Sequence, residues 1–423
     1  MLQTLNKACL DQDQNLIRSC LIWSYWNLGH NEWKEVLNLR RQQHQKLIDL
    51  IPLSVVKKNL DEQVLPWFVA DLGHTGFLFL NAASNKRWVK RIYLPKTRPA
   101  NAFYWKLVQR RLGEVGVIVD EFENLKKEHS PLVALEEYFQ VNSEAKVLYS
   151  HSAEVIDENE DHGNLFPSSS LKLEVSEKIY DLGAQWAQRC LGQSNKVIIL
   201  HVRESFHGVD VNSQARDASV ESYWLACKYL KENGYVVVRM GSKKMPALSH
   251  RMKSLVFDYA HYAEKEDWID CWLWSECIFW IGNSCGPLPV LRTFEKPLVF
   301  TNSWMWNLVG STQDLILPKV LSKNGKVVSA TETISSGLSR TQNRKLIEAK
   351  GYKLIDNPSE VIKDSVVEMV YKLDEKFSVD CNNTLDSVTK DFMTALGIRS
   401  RRNVAKLSES FKQFFSSNMI YRN

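Results

Sequence analysis

The sequence predicts an α/β protein built from two doubly wound, Rossmann-like domains that face a cleft. Three observations favour this fold class. The chain has 423 residues, which is too long for one ordinary core and suits two domains of roughly 150–200 residues each. Hydrophobic residues make up 44% and charged residues 24% of the chain, as in globular proteins. Apolar segments of strand length alternate with amphipathic segments of helix length, which indicates parallel strands joined by helices.

The first predicted domain covers residues 64–192 and follows a predicted helical extension over residues 1–63. Apolar residues at helical spacing indicate the extension. The domain ends with a polar, turn-rich loop over residues 157–170 and a long helix that Gly192 stops. The elements before that loop are predicted to be the strand WFVADL, the helix FLFLNAASNKRW, the strand KRIYLP, the helix NAFYWKLVQRRLG and the strand VGVIVD.

The second predicted domain covers residues 193–375 and repeats the alternation. VIILHVR is a nearly continuous apolar run, as expected for a parallel strand buried on both faces. The next helix is predicted to place one apolar stripe toward the sheet, made of Val220, Tyr223, Trp224, Cys227 and Leu230. The later elements are predicted to be the strands YVVVRMG and LVFDYA, the helix DWIDCWLWSEC, the strand IFWIGN, the helix GPLPVLRTF and the strand KPLVFTN.

The tail over residues 376–423 is predicted to be helical, basic and amphipathic. Its apolar stripe consists of Val404, Leu407, Phe411 and Phe414, with Arg401, Arg402 and Lys406 nearby. Two alternatives remain open for this stripe. Residues 396–423 lie on the anionic inner membrane as a peripheral contact, or the helix packs back on the protein.

Composition restricts the compartment and the class of partner. The eight cysteines form no CxxC pair, which indicates reduced thiols rather than disulfides or a zinc site. The N-terminal segment MLQTLNKACLDQDQN has no apolar signal-peptide core, and no stretch approaches 18 apolar residues. We therefore expect a cytoplasmic protein. A net charge of +5 is spread along the chain, which suits anionic substrates better than nucleic acid.

The strongest candidate site is the loop HVRESFHGVD, which follows the strand VIILHVR. In open parallel sheets, ligands bind beyond the carboxyl ends of the strands. Arg203 is predicted to project there and to grip a diphosphate, because a guanidinium donates two charge-assisted hydrogen bonds to such a group. His201, Glu204 and His207 stand beside it. The alternative is that His201 and Arg203 form an ordinary polar pair beneath a loop.

A second candidate loop is NSCG, between the strand IFWIG and the next helix. Asn283, Ser284, Cys285 and Gly286 are small enough to let backbone N–H groups approach phosphate oxygens. The alternative is a helix cap, since Ser and Asn begin many helices. Further donor-site candidates end two other strands: Arg239, Gly241 and Asp258.

In the first domain, DLGHTG places His74 between glycines after the predicted strand WFVADL. The imidazole is predicted to act as a base or as a positioning group, and the alternative is a solvent-facing side chain at a helix start. The sequence contains no G-x-G-x-x-G and no P-loop lysine motif, so a dinucleotide cofactor is not expected. No D-x-D follows a strand at the predicted cleft, so no metal site is expected.

The motifs HVRE, RMG, DYA and the small-residue loop NSCG occur in that order. In this they resemble a bacterial family of surface-polysaccharide glycosyltransferases. The resemblance covers residues 65–375 and is most specific over 197–302. HVR is also similar to the HxR motif of the fucosyltransferase superfamily, whose arginine contacts the donor diphosphate. LGHTG is similar to the glycine turn of heptosyltransferases, where an aspartate is the proposed base and this chain has His74.

The resemblance implies a GT-B-like glycosyltransferase. The nucleotide-sugar donor would bind mainly to residues 200–310, with Arg203 on the diphosphate and Ser284 beside it. A glycan or lipid-linked acceptor would bind mainly to residues 65–170. His74, Glu204 and His207 compete for the role of base. Two other functions remain open: a sugar-nucleotide epimerase on the same scaffold, and a non-catalytic protein that binds a glycan or a partner chain through tryptophan-rich surfaces.

Overall fold

A computed structural model describes most of the two predicted Rossmann-like domains. The described residues are 62–64, 68–84, 90–122, 171–192, 196–204, 211–304, 313–374, 387–395 and 405–418. Residues 1–61 of the predicted helical extension, the predicted loop at 157–170 and the candidate base His207 lie outside these ranges. The last two residues of that extension, Glu62 and Gln63, lie in a strand rather than a helix. The described chain forms two compact units. One groups the residues up to Leu173 with Gly286–Thr293, and the other comprises Glu174–Cys285 and the residues from Phe294 onward.

The first unit is an α/β arrangement around a three-stranded parallel sheet. The strands pair in the order β1-β2-β3, and all pairs are parallel, as the sequence predicted. The bounds in chain order are β1 Glu62–Val64, α1 Leu72–Ser84, β2 Arg91–Pro95, α2 Ala102–Glu114 and β3 Ile118–Phe122.

One predicted strand of this unit is wrong. Within WFVADL, Phe68–Ala70 form a 3-10 turn, and α1 begins at Leu72. The strand lies earlier, at Glu62–Val64. A short apolar run suits a buried helix as well as a buried strand, and here Leu78 and Phe79 on α1 are almost fully buried. His74 therefore lies in the first turn of a helix rather than between a strand and a helix.

The second unit contains a seven-stranded parallel sheet, which confirms the predicted large sheet. Its strand order is β13-β9-β8-β7-β4-β5-β6. Every residue of β4, β7, β8 and β9 is buried, as expected where helices cover both faces. The bounds of these strands are β4 Val197–His201, β5 Val236–Arg239, β6 Val256–Phe257, β7 Phe279–Gly282, β8 Leu298–Ser303, β9 Leu315–Pro318 and β13 Lys406–Leu407.

A small antiparallel sheet accompanies the large one and has the order β11-β10-β12. The sequence did not predict these strands, and it also missed β9 and β13. The remaining strands are β10 Val320–Lys323, β11 Lys326–Val327 and β12 Lys353–Ile355. The remaining helices are α3 Glu177–Cys190, α4 Trp224–Glu232, α5 His250–Lys253, α6 Asp267–Glu276, α7 Leu288–Thr293, α8 Ala330–Ser335, α9 Arg344–Ala349, α10 Ser359–Leu373, α11 Ser387–Ala395 and α12 Glu409–Asn418.

Helix α4 shows how the sequence pattern produces this layer. A 3-10 turn at Val220–Tyr223 leads into α4, and the Ser219 side chain accepts a hydrogen bond from the Glu221 N–H, which satisfies a donor at the start of the turn. Of the predicted stripe, all members except the half-buried Trp224 are buried. The chain leaves the helix at Gly234, whose φ of +78° is easily adopted only by glycine.

Leu407 and Phe411 of the C-terminal stripe pack on the protein, as the second of the two alternatives for the tail has it, whereas Phe414 is half-buried and Val404 lies outside the described residues. Leu407 lies in β13 beside β9, and both Leu407 and Phe411 are buried. The ring of Phe411 on α12 lies 5.8 Å from that of Phe392 on α11. These apolar side chains are therefore covered by the second unit. None of the helices within the described ranges is long and apolar enough to cross a bilayer.

Helix α7 follows a strand of the second unit but packs in the first. Gly286–Thr293 belongs to the first unit, where α7 lies against α1. A Cβ atom added at Gly73 would stand 2.3 Å from the Gly286 carbonyl oxygen, and one at Gly76 would stand 2.9 Å from the carbonyl carbon of Pro289. The two glycines of LGHTG thus permit a close approach of protein backbone.

We expect Gly73→Ala to destabilise the protein, because the new methyl group has no space beside the Gly286 carbonyl. Overpacking of this kind typically costs about 1–3 kcal/mol. Gly113→Ala is the matched control, since it lies in α2 and its Cβ would meet no atom within 4 Å. The control should be neutral or stabilising by up to about 1 kcal/mol. Urea denaturation measures both changes, and equal effects would contradict this role of Gly73.

Candidate functional site

The candidate site lies where β4 and β7 end, at a topological switch point of the large sheet. From β4 the chain moves outward to β5 and β6, and it then returns to β7 on the other side of β4. The loops that follow β4 and β7 therefore lead away in opposite directions, and such a switch point is the usual ligand position in doubly wound sheets. The loop after β4 carries Arg203, and the loop after β7 begins with Asn283.

Asn283 joins these two loops. Its side-chain Oδ1 accepts a hydrogen bond from the Arg203 N–H at 2.7 Å. Its Nδ2 donates to the carbonyl oxygens of Arg203 at 3.0 Å and Arg216 at 2.9 Å. Asn283 is fully buried. Its carboxamide satisfies backbone groups, so it holds the loop of Arg203 in place.

Arg203 keeps part of its side chain exposed at this point. Its Nε donates to Asp217 Oδ1 at 2.7 Å. The side chain of Arg203 is 21% exposed, whereas that of Asp217 is 8% exposed. A carboxylate that is itself buried gives the guanidinium a defined direction. Arg203 is therefore oriented by the protein and still reaches the surface.

Arg239, predicted to bind the donor, has no exposed surface in the structure. Its guanidinium contacts Glu204 Oε2 at 3.2 Å and Asp258 Oδ1 at 3.3 Å, and it donates to the Pro246 carbonyl oxygen at 2.8 Å. These acceptors belong to the loops after β4, β5 and β6. In this arrangement Arg239 ties three loops together, and any donor contact would require it to leave these partners.

Glu204 and Asp258 are engaged in the same cluster. Glu204 accepts from the Val220 N–H at 2.9 Å through Oε1, while Oε2 faces Arg239. Burial raises the pKa of the Glu204 carboxyl, although the Val220 N–H and Arg239 oppose this shift. Asp258 Oδ2 lies 2.9 Å from His261 Nδ1. Both Glu204 oxygens have partners within the protein. In this arrangement Glu204 stabilises the neighbouring loops.

His201 is buried at the end of β4. Its Nδ1 lies 2.9 Å from the carbonyl oxygen of Met240, and because a carbonyl only accepts, Nδ1 carries the proton. Burial lowers the pKa of the imidazole to about 4, with smaller contributions from Lys265 and Arg239, while the Met240 carbonyl opposes the shift. His201 is therefore neutral near neutral pH and connects the ends of β4 and β5.

The small-residue loop after β7 is partly accessible. Ser284 and Cys285 are half-buried, and Gly286 is exposed. Ser284 Oγ lies 3.3 Å from both the N–H and the carbonyl oxygen of Trp304. Helix α7 begins at Leu288 and has six residues, so its dipole adds little. Across the sheet, Gly241 has a φ of +153°, and its carbonyl oxygen accepts from Lys265 Nζ at 2.6 Å.

His74 lies in the first unit, near the start of α1. Its side chain is 28% exposed, and Nδ1 stands 3.4 Å from Asp71 Oδ2. A carboxylate beside one ring nitrogen helps to orient an imidazole. The arrangement suits the predicted role. The sequence did not identify Asp71 as its partner.

The structure adds Lys319, which the sequence analysis missed. It directly follows β9, and its side chain is fully buried with Nζ 2.8 Å from Asp356 Oδ1. Lys319 Nζ also donates to the main-chain oxygen of Asp217. The signal was present in LILPK, a cation after an apolar strand, as in VIILHVR. Arg203, Asn283, Asp217 and Lys319 thus meet at one edge of the sheet.

No protein-family model and no curated protein matches the sequence. Among solved structures, the chain resembles ADP-heptose lipopolysaccharide heptosyltransferase II from E. coli, with 16% identity, a TM-score of 0.34 and coverage of 68% of this chain and 97% of that one. A family 9 glycosyltransferase from Veillonella parvula has 11% identity, a TM-score of 0.40 and coverage of 74% and 97%. A protein described as a UDP-N-acetylglucosamine 2-epimerase from Listeria monocytogenes has 12% identity, a TM-score of 0.26 and coverage of 83% and 76%. At such low TM-scores, a shared activity does not follow.

We expect acid to destabilise the protein through His201. The pKa of this histidine is lower in the folded chain, at about 4, than its ordinary value of about 6.5. Unfolding therefore takes up a proton below about pH 6.5, and stability falls until about pH 4. Between about pH 7 and about pH 4.5, this group should remove about 2–3 kcal/mol.

The control variant is His201→Asn, whose side-chain N–H can replace the Nδ1 donor to Met240 and does not titrate. Urea midpoints at the two pH values measure the difference between the proteins. The midpoint of the wild-type protein should fall further than that of the variant. An equal fall in both would assign the acid sensitivity to other groups.

Proposed function

We propose that the chain is a glycosyltransferase that transfers a sugar from a nucleotide-activated donor to a glycan or lipid-linked acceptor in bacterial surface-polysaccharide biosynthesis. One observation carries this proposal. Arg203 and Asn283 meet at the switch point between β4 and β7, where doubly wound sheets bind nucleotides. The donor would bind there.

Arg203 is the cation best suited to the donor phosphates. Arg239 and Lys319 have fully buried side chains, whereas Arg203 is 21% exposed. A guanidinium binds a diphosphate through paired, charge-assisted hydrogen bonds. The same contact stabilises the nucleotide as it leaves the sugar, which is the largest electrostatic demand of glycosyl transfer.

The other predicted donor residues receive supporting roles in this proposal. Asn283 holds the loop of Arg203, while Arg239, Glu204 and Asp258 form the cluster that joins neighbouring loops. His201 connects two strand ends. Ser284, Cys285 and Gly286 keep exposed surface and would flank the phosphates. The nucleotide sugar is a substrate, and we propose neither a cofactor nor a catalytic metal.

His74 is proposed as the base on the acceptor side. Its position beside Asp71 and its partial exposure support this assignment over Glu204, whose oxygens are both engaged. The non-catalytic alternative invoked tryptophan-rich surfaces. Of the eight tryptophans in the described ranges, two are half-buried: Trp224 and Trp268. The other six are at most 5% exposed and belong to the core: Trp105, Trp186, Trp272, Trp274, Trp280 and Trp304.

Arg203→Ala should weaken nucleotide binding by about 1.5–3 kcal/mol, the contribution of a hydrogen bond to a charged group. Calorimetric titrations of ADP, GDP, UDP and CDP measure the affinity. The matched control is Arg251→Ala, because Arg251 is 51% exposed and pairs with Glu221, which is not a residue of the candidate site. The control should bind as the wild type does. Equal affinity of the Arg203 variant and the wild type would remove Arg203 from the donor site.

Transfer itself is tested with nucleotide sugars and lipid-linked oligosaccharides in buffer that contains EDTA. We expect free nucleotide to appear only when acceptor is present. His74→Ala should lower kcat by roughly 10²–10⁴-fold, the usual effect of losing a general base, with donor affinity unchanged. Interconversion of nucleotide sugars without acceptor would favour the epimerase, and an unaffected His74 variant would pass the base role to another residue.

A further inference from the structure

Lys319 has an unusual position for a lysine. It follows β9 at the carboxyl edge of the large sheet, and its N–H donates to the Ser303 carbonyl oxygen at 2.8 Å. Its side chain has no exposed surface. Burying an ammonium group costs several kcal/mol unless it is paired and hydrogen-bonded. The contacts of Lys319 must therefore offset the cost of its burial, and they indicate its role.

The Lys319 ammonium group contacts two different residues. One is the ion pair with Asp356, at 2.8 Å. Asp356 is 39% exposed and also pairs with Arg344 at 3.3 Å. Because water and Arg344 already satisfy this carboxylate, the ion pair alone does not explain why Lys319 is buried. The other is the hydrogen bond to the main-chain oxygen of Asp217. That residue orients Arg203.

The segment around Asp217 is held from three sides. Its N–H donates to the Gln214 carbonyl oxygen at 3.1 Å, and the next N–H, of Ala218, donates to the Arg203 carbonyl oxygen at 2.9 Å. Lys319 adds the third restraint at the Asp217 carbonyl. With its main chain fixed, Asp217 presents Oδ1 to Arg203 Nε at 2.7 Å. Burial lowers the pKa of Lys319, and Asp356 opposes this shift.

We propose that Lys319 is a positioning residue for the anion site. It fixes the main chain at Asp217, so that the Asp217 carboxylate holds the Arg203 guanidinium in the orientation that binds the donor phosphates. This inference rests on the proposed function for its ligand. Its contacts, Lys319 to Asp217 and Asp217 to Arg203, are present without any ligand, so its central claim can be measured separately.

The first measurement is hydrogen exchange of the Arg203 Nε–H, observed by NMR in protein labelled at arginine Nε and assigned by its loss in Arg203→Lys. Lys319→Met removes the donor to Asp217 while keeping a similar volume, and such replacements of buried charges often preserve the fold. We expect exchange to accelerate by about tenfold as the restraint is lost. Lys326→Met, on the exposed part of β11, is the matched control and should leave exchange unchanged.

Two outcomes decide this measurement. If Lys319→Met folds and the Arg203 Nε–H exchanges as in the wild type, the positioning role is overturned. If Lys319→Met does not fold, Lys319→Gln replaces it in the same measurement, because its uncharged side chain ends one atom nearer the main chain and still offers an N–H group to the buried position. Accelerated exchange in Lys319→Gln supports the proposal, and unchanged exchange overturns it.

The second measurement is a double-mutant cycle on the affinity for ADP, GDP, UDP and CDP, with unfolding midpoints followed in parallel. Lys319→Met should weaken binding by about tenfold in the wild-type background, since a small misplacement of a binding group has effects of this order or larger. In the Arg203→Ala background it should have no further effect. Equal weakening in both backgrounds would overturn action through Arg203. If Arg203→Ala binds like the wild type, the proposed function fails, while the exchange result still decides the role of Lys319.

Discussion

The candidate site depends on the pairing of two cations that the fold removes from water. Arg239 and Lys319 lie at the carboxyl edge of the large sheet with no exposed side-chain surface. Leaving either one unpaired would cost several kcal/mol, so the surrounding loops must present acceptors. Glu204 and Asp217 do so from the segment that follows β4, and Asp258 does so from the loop after β6. The conformations of these loops are therefore linked through electrostatics, although the loops are far apart in sequence.

This linkage explains why some polar residues after the strands stabilise the loops, while others are left to bind a ligand. Backbone groups and carboxylates near a strand end must be satisfied before any ligand arrives. Asn283 satisfies the backbone of Arg203 and Arg216, and Arg239 satisfies Glu204 and Asp258. A group that already has its hydrogen-bond partners inside the protein gains little from a ligand, because it would exchange one contact for another. Ligand binding is left to the side chains that remain partly exposed.

The sequence predicted the large sheet well and the burial of its edge residues poorly, for a physical reason. Strands β4, β7 and β8 are apolar throughout because both of their faces are covered, and that pattern is visible locally. WFVADL has a similar pattern but forms a 3-10 turn and the beginning of α1, since a short apolar run does not distinguish a buried helix from a buried strand. The contact between Arg239 and Glu204 spans 35 residues, and that between Lys319 and the Asp217 carbonyl spans 102. A local sequence pattern cannot predict contacts between residues so far apart in the chain.

The glycines of LGHTG also make contacts with residues that are distant in sequence, and these contacts restrict the loop after β7. The sequence showed only that LGHTG is similar to a glycine turn, and the structure shows that Gly73 and Gly76 admit the segment Gly286–Pro289. That segment directly follows Ser284 and Cys285, which are still part of the second unit. The small-residue loop therefore has to satisfy two requirements at once: its first residues join the strand end beside Arg203, and its last ones enter the packing of α1. A substitution that enlarges Gly73 would press against the carbonyl group of Gly286 and so displace the end of a loop whose first residues belong to the candidate phosphate site.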